Sequence, residues 1–335
     1  MKRGLSRARA EREAPRRPRG SRSGRARHAR VTVEARAKLN LALAVGPRRA
    51  DGYHELVTVF QSVSLADTLT AEPRRSGFTL EIRFESALAR GRLGRAARRV
   101  PAGAANLVLR AARLLAEHAR LTGGARFLLV KRIPARAGLG GGSADAAAAM
   151  VAMARLYGIR VSGDDARRLA LRLGSDVPFA LRGGTALGRG RGERLVSLRL
   201  ARPFRALIAI PKWGVDTMSA YRALDEHKNH LTAWKASLRF AQVLGRERVN
   251  AGSVTELGNS FESVLGRRDR ELVALRERLH AAGARQVLMT GSGSAVFGIL
   301  PPRFEGRAAV ERFVGREAVF LVRSTGRGLT LVTGS

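Results

Sequence analysis

The chain contains no cysteine, which excludes a disulfide framework, thiolate nucleophiles and cysteine-ligated metal. Long apolar runs are missing too. None approaches the ~20 residues of a membrane-crossing helix, so no membrane partner is expected. Lysine is scarce and occurs only at positions 2, 38, 131, 212, 228 and 235. Acidic residues are outnumbered, 27 against 62 Lys and Arg, for a formal charge of +35. Such a charge ordinarily points to nucleic acid or an anionic surface. Here nearly all of it is arginine, beside abundant alanine and glycine, as GC-rich coding produces, and much of it lies in the first thirty residues. No dedicated nucleic-acid partner is therefore expected, although a basic nucleic-acid-binding protein stands as the non-enzyme alternative. What is present is ordinary for a globular protein: 335 residues, 45% of them hydrophobic, enough for a sizeable core and for two domains. Location in the cytoplasm is the expectation.

Met1–Arg30 carries almost no large apolar residue and cannot bury enough surface to fold. It reads as a disordered tail, or as a transit peptide, against which Glu11, Glu13 and two prolines count. Val31–Val45 reads as a strand in which Leu39, Leu41 and Leu43 face one way and Lys38 and Asn40 the other. The polar pair marks either an edge strand's solvated face or a site. Tyr53-His54 ends a turn-rich loop before the strand Glu55–Val63. The pair is either a loop tip or an aromatic face beside a hydrogen-bonding ring, suited to stack on a flat base. Phe78–Phe84 is a further strand, and Leu88–Ala104 a basic low-complexity insertion. Asn106 is placed to cap a helix. Ser162 opens another, which stops at Gly174. Asp176, just beyond, is either an N-cap or a chemical group. A glycine-rich hairpin, 183–193, suggests a domain boundary near residue 190, giving domains at 31–190 and 191–335. The second half alternates strand and helix to a last strand at Ala318–Val322. It contains a tight polar turn, Thr290-Gly291-Ser292-Gly293-Ser294. This alternation argues an α+β or α/β fold.

The organising stretch is Pro134-Ala135-Arg136-Ala137-Gly138-Leu139-Gly140-Gly141-Gly142-Ser143-Ala144, between the strand-like Phe127–Val130 and an alanine-rich helix, Ala144–Leu156. Glycines let backbone N–H groups converge, and a helix start aims its free N–H groups and positive dipole end at the same point. That context binds phosphate. The loop is neither a Walker A nor a dinucleotide fingerprint, and the plainer alternative is a flexible glycine loop.

Together, Ala37-Lys38-Leu39-Asn40-Leu41, the Pro134–Ala148 stretch, Leu173-Gly174-Ser175-Asp176-Val177-Pro178 and Met289-Thr290-Gly291-Ser292-Gly293-Ser294 resemble the GHMP small-molecule kinases in order and spacing, over about residues 31–325. The resemblance implies an α+β two-domain fold, with a ribosomal S5 domain 2-like N-terminal and a ferredoxin-like C-terminal domain. It implies ATP with Mg²⁺, and a loop from Pro134 to Ala144 on the phosphates, with Asn106 and Lys131 near the adenine. Asp176 becomes the catalytic base and Lys38 its partner, with Asn40, Thr290, Gly291 and Ser292 on the substrate side. The loop Arg-Ala-Asp-Gly-Tyr-His narrows the acceptor to a cytidine-diphosphate-linked methylerythritol, its base on Tyr53 and His54, phosphorylated at the 2-hydroxyl. A homoserine or mevalonate type of GHMP kinase is the alternative. Ser143 is within reach of Mg²⁺, but no carboxylate ligand stands out, Asp145 included, so no metal ligand is assigned. Monomer and homodimer both remain open.

Overall fold

The computed structural model describes residues 26–89, 91–97, 99–227, 234–239, 248–304, 306–313 and 317–332. Residues 1–25 of the expected tail lie outside the described residues, as do 228–233 and 240–247 of Asp216–Val249, a segment that reads as polar and helical in the sequence. Order begins earlier than the tail reading supposes, since the Arg27 amide donates to the Leu156 carbonyl at 2.7 Å.

The first strand, β1 (Val31–Arg48), alternates buried and half-buried residues up to Arg36, then is buried without a break from Ala37 to Gly46. It lies inside a sheet, paired on one side to β2 (His54–Arg74) and on the other to β12 (Leu329–Val332). Lys38 and Asn40 are thus interior polar groups and the edge-strand alternative falls. Register shifts at Arg36/Lys38 and Asn40/Ala42 turn this pair locally. β2 runs eleven residues past the expected end at Val63, because polar Ser64, Asp67 and Thr68 mask a strand whose Asp67 is buried and bonded. Beyond β2 come β3 (Phe78–Phe84) and its parallel partner β4 (Gly124–Lys131), which also pairs with β2. Two short helices, α1 (Ser86–Ala89) and α2 (Gly91–Ala97), stand in the low-complexity insertion.

One face of this sheet carries α3 (Leu107–Ala119), α4 (Gly141–Tyr157), α5 (Gly163–Leu173) and α6 (Val177–Arg182). Asn106 caps α3 by accepting from the Val108 amide at 2.8 Å, and Ser162 caps α5. α4 buries Ala144, Ala146–Ala149 and Ala152, and small side chains let it lie close against β1, β2 and α3. It begins three residues before the expected start, so the glycines form its first turn.

The hairpin from β5 (Thr185–Gly190) to β6 (Arg194–Leu200) stays in this larger sheet, whose order is β12-β1-β2-β5-β6-β8, with β8 at Arg248–Val249. A division at residue 190 would cut that hairpin. The chain enters a second sheet only at β7 (Arg205–Ile210). There β9 (Gln286–Met289), β10 (Val296–Leu300) and β11 (Ala318–Arg323) complete the order β11-β7-β10-β9, all antiparallel. Strand–helix–strand–strand–helix–strand in that order is the ferredoxin-like arrangement. Its helices include α7 (Thr217–Glu226), α8 (Ala251–Thr255), α9 (Asp269–Ala281) and α10 (Gly306–Arg312). β11 does not close the fold, because β12 returns to β1. An apolar core containing Leu39, Leu41, Val59, Ile208 and Phe297 joins the two sheets. No described helix is long and apolar enough to cross a membrane.

Candidate active site

Two cavities meet at the phosphate-type loop. The larger, about 840 Å³, is lined by Lys38, Tyr53, His54, Asp176, Tyr221 and Gly291 among others. The smaller, about 530 Å³, is lined by the loop from Pro134 to Ser143, with Asn106, Lys131 and Asp145. Arg136, Gly138 and Gly140 line both, so the loop is the wall between them. Ala144 is buried behind it. Arg99, Val100 and Pro101, at the end of the expected insertion, also line the smaller cavity.

The loop conformation depends on its glycines. Gly138 has φ +81°, and a Cβ there would sit 2.2 Å from the Thr290 carbonyl oxygen. Gly140 has φ +70°, and its Cβ would meet Lys38 Cγ at 2.9 Å. The Lys38 amide donates to the Leu139 carbonyl at 3.0 Å, and the Ala295 amide to the Ala137 carbonyl at 3.0 Å. β1, the loop and the Thr290–Ser294 turn are therefore packed backbone to backbone.

Across from the loop, Lys38 Nζ lies 3.7 Å from Asp176 Oδ2. Asp176 occupies the N-cap position of α6 but makes no capping bond, so its carboxylate is free for chemistry and the capping alternative falls. Burial pulls the Lys38 ammonium below the usual lysine range, and the Asp176 charge opposes that pull without cancelling it. Tyr221 feels the same site: burial, then the Asp176 charge, pushes its phenol up to about 12.

Asn40 is engaged on every side. Its Oδ1 accepts from Lys38 Nζ at 2.6 Å and from the Gly291 amide at 3.0 Å, while its Nδ2 donates to Thr58 Oγ1 at 2.8 Å. Its backbone amide donates to Thr290 Oγ1 at 2.8 Å. Asn40 thus orients Lys38 and tethers the turn, and the fully buried Thr290 lines neither cavity. Gly291 and Ser292 do reach the larger one.

Lys131 and Asn106 are committed as well. Lys131 Nζ bonds Asp67 and, at 2.7 Å, Asp145 Oδ2. Burial lowers its pKa, and the two carboxylates more than reverse that, leaving it raised. Asp67 Oδ1 also accepts from the Arg132 and Ile133 amides at 2.6 and 2.8 Å, fixing the chain just before the loop. Burial and the charge of Asp67 push Asp145 well up, against the pull of Lys131. Asn106 Nδ2 donates to the Pro101 carbonyl at 2.6 Å. These two residues brace the smaller cavity's wall.

Tyr53 is 51% exposed at the rim of the larger cavity, with the Arg191 guanidinium 4.3 Å from its ring centroid. His54 is buried beside it, stacked on Tyr221 with centroids 4.9 Å apart. Tyr221, Asp225 and Arg191 are cavity residues that sequence reasoning missed. Tyr221 and Asp225 carried one usable signal, a spacing of four on an α7 helix face.

Among the described residues no three His, Cys, Asp or Glu side chains gather into a metal site. The oxygen donors nearest the loop are Ser143 and Asp145, whose buried Oδ1 has no partner. A Mg²⁺ held mostly by phosphates and water needs only one or two such donors, so these residues fit it.

The profile of the GHMP kinases N terminal domain matches residues 106–184, and that of the GHMP kinases C terminal domain matches residues 244–317. A 4-diphosphocytidyl-2-C-methyl-D-erythritol kinase of Pelotomaculum thermopropionicum is 40% identical over 296 residues, 88% of this chain and 98% of the relative. The chain belongs to this family of GHMP kinases. A kinase of the same name from Moorella thermoacetica is 40% identical over 269 residues, 80% of this chain and 90% of the relative. A crystal structure titled 4-(cytidine 5'-diphospho)-2C-methyl-D-erythritol kinase matches with TM-score 0.67 and 38% identity, over 88% of this chain and 98% of that one. A homoserine kinase from Cytophaga hutchinsonii shares the fold at 17% identity, with TM-score 0.61 over 92% of this chain and 99% of its own. Within the GHMP kinase chain, the N-terminal profile spans Asn106, the loop and Asp176, while Lys38, Tyr53 and His54 precede it.

Proposed function

We propose that this chain transfers the γ-phosphoryl group of ATP to the 2-hydroxyl of 4-diphosphocytidyl-2-C-methyl-D-erythritol, a step in making isoprenoid precursors by the non-mevalonate route. The observation that carries the reading is the Lys38–Asp176 pair, 3.7 Å apart, facing a glycine loop that walls two cavities. One cavity takes the donor and the other the acceptor, so the reacting groups meet at the wall.

Phosphoryl transfer requires positioning and charge stabilisation more than covalent help. The acceptor hydroxyl oxygen attacks the γ-phosphorus as the bond to the β,γ-bridging oxygen breaks, and ADP departs. Asp176 accepts the hydroxyl proton. Lys38, held by Asn40, keeps that carboxylate ionised and stabilises the oxygen that loses its proton. Loop amides from Ala137 to Ser143 and the α4 dipole hold the phosphates. When bound with ATP, Mg²⁺ neutralises phosphate charge, and Ser143 and Asp145 are the side chains that would hold it. Tyr53 supplies an aromatic face for cytosine, and His54 a hydrogen bond. We place the reaction in the cytoplasm, with a small-molecule acceptor and no nucleic-acid partner.

Purified protein given ATP and this acceptor is expected to release ADP. Turnover of homoserine or mevalonate in its place would overturn the reading. Asp176→Asn is expected to lower kcat by about 10²–10⁴ while ATP affinity, by calorimetry, stays near wild type. Activity near wild type in that variant removes Asp176 as base.

A further inference from the structure

His54 opens β2 with its side chain only 6% exposed, and its Nε2 lies 2.7 Å from Asp225 Oδ1. Its ring lies over Tyr221 at 20° between planes. Tyr221 and Asp225 are four residues apart on α7, so one helix face supplies both the stacking surface and the carboxylate. An ionised carboxylate only accepts hydrogen bonds, so Nε2 carries the hydrogen. A neutral imidazole has one ring N–H, and Nδ1 is then left as a lone pair. Among the described residues Nδ1 has no hydrogen-bond partner.

We infer that Asp225 is a positioning residue that sets the His54 tautomer and thereby selects cytosine over uracil. This rests on the function proposed above, in which the base of the acceptor sits at Tyr53 and His54. An Nδ1 lone pair accepts from the exocyclic amine of cytosine. Uracil carries a carbonyl oxygen at that position, and two acceptors would face each other. Without the carboxylate either tautomer is open to the ring, and the side chain distinguishes the bases poorly. Specificity would thus reside in a residue that need not touch the base.

The test uses the full-length protein with CDP and UDP as calorimetric probes, steady-state kinetics with the CDP-linked acceptor, and ¹⁵N NMR of labelled histidine. Wild type is expected to bind CDP at least about tenfold tighter than UDP, the ratio that one good hydrogen bond provides. Its His54 should show the Nε2–H tautomer. Asp225→Ala should bring the CDP:UDP ratio towards one and mix the tautomers. It should raise KM for the acceptor and leave kcat and KM for ATP near wild type. Asp225→Glu should restore the ratio. Where the alanine variant does not fold, Asp225→Leu, which is close in size and has no acceptor, is judged by the same ratio. An unchanged ratio in the variant overturns the inference. So does a lost ratio with the Nε2–H tautomer retained, since the carboxylate would then be reading the base directly. A wild type that does not release ADP with the CDP-linked acceptor sinks the proposed function itself. Wild-type turnover with an unaltered ratio in the variant sinks only the tautomer assignment.

Discussion

Lys38 is buried among groups that want it charged and surroundings that do not. Its pKa is lowered in the folded chain, with burial the first cause and Asp176 opposing it. The unfolded chain titrates it near the ordinary 10.5. Between the lowered value and that one, the unfolded chain binds a proton the folded chain lacks, so stability rises with pH across the window. Below the window the cost of the buried ammonium is fully present. Lysine NMR should therefore show Lys38 titrating below the other lysines, which are few enough to resolve. Asp176→Asn should move it lower still, because the opposing charge is gone. A Lys38 that titrates with the exposed lysines contradicts the burial argument. At this scale the sequence was informative where a short motif carries a residue. Short motifs single out Lys38 and Asp176, and the fold brings their side chains within 3.7 Å although they are 138 positions apart in the chain. The resemblance puts Asn40 on the substrate side, and only the fold shows its side-chain amide spent on Lys38, Thr58 and Gly291. Asp225 lies 171 positions from His54, with no motif to link them.

Between elements, the contact of most consequence is the one between the glycine loop and the β9–β10 turn. Gly138→Ala must hold a Cβ at φ +81° within 2.2 Å of a carbonyl oxygen. The backbone strain alone costs at least about 1 kcal/mol, which lowers Tm by about 2–4 °C in a domain of this size. The clash adds to it and shifts the amides on which phosphate rests, so ATP affinity should fall with Tm. Gly142→Ala is the control. Its Cβ meets nothing nearer than Leu107 Cδ1 at 3.5 Å, and it lies in α4, where alanine is the better helix former. Its Tm should hold or rise, and equal losses in both variants would show that the loop does not need Gly138 in particular. Helix starts and stops set by capping side chains, Asn106 and Ser162, were readable from sequence, because a cap is a local hydrogen bond. Glycines hid the first turn of α4, since their low helix propensity counts against a turn that tertiary packing holds. The far half of β2 was hidden in the same way, by polar residues whose partners come from β4 and Arg132.

At the level of the whole molecule, residues 1–25 crowd ten Lys and Arg against two Glu, +8 of the formal charge of +35. Among the described residues, the cavities draw on positions from Lys38 onward. Deleting residues 1–25 should leave kcat and both KM values unchanged and strip away most salt-sensitive binding to duplex DNA. DNA affinity that survives the deletion with a steep salt slope would favour a nucleic-acid role for the folded part. Overall architecture was legible as alternating strands and helices, whereas the ferredoxin-like half came from the family resemblance. The return of β12 to β1 was not, because four residues at the chain's end carry little pattern and pair with a strand three hundred positions away.

That return has a mechanical consequence. Of the covalent connections between the two sheets, one leaves β6 and one leaves β11. These run side by side, with the Phe204 amide donating to Ser324 Oγ at 3.0 Å and the Ser324 amide to the Phe204 carbonyl at 2.9 Å. A protease that nicked either connection would leave the halves tethered by its neighbour, so a single scission at this seam should not release a separate fragment.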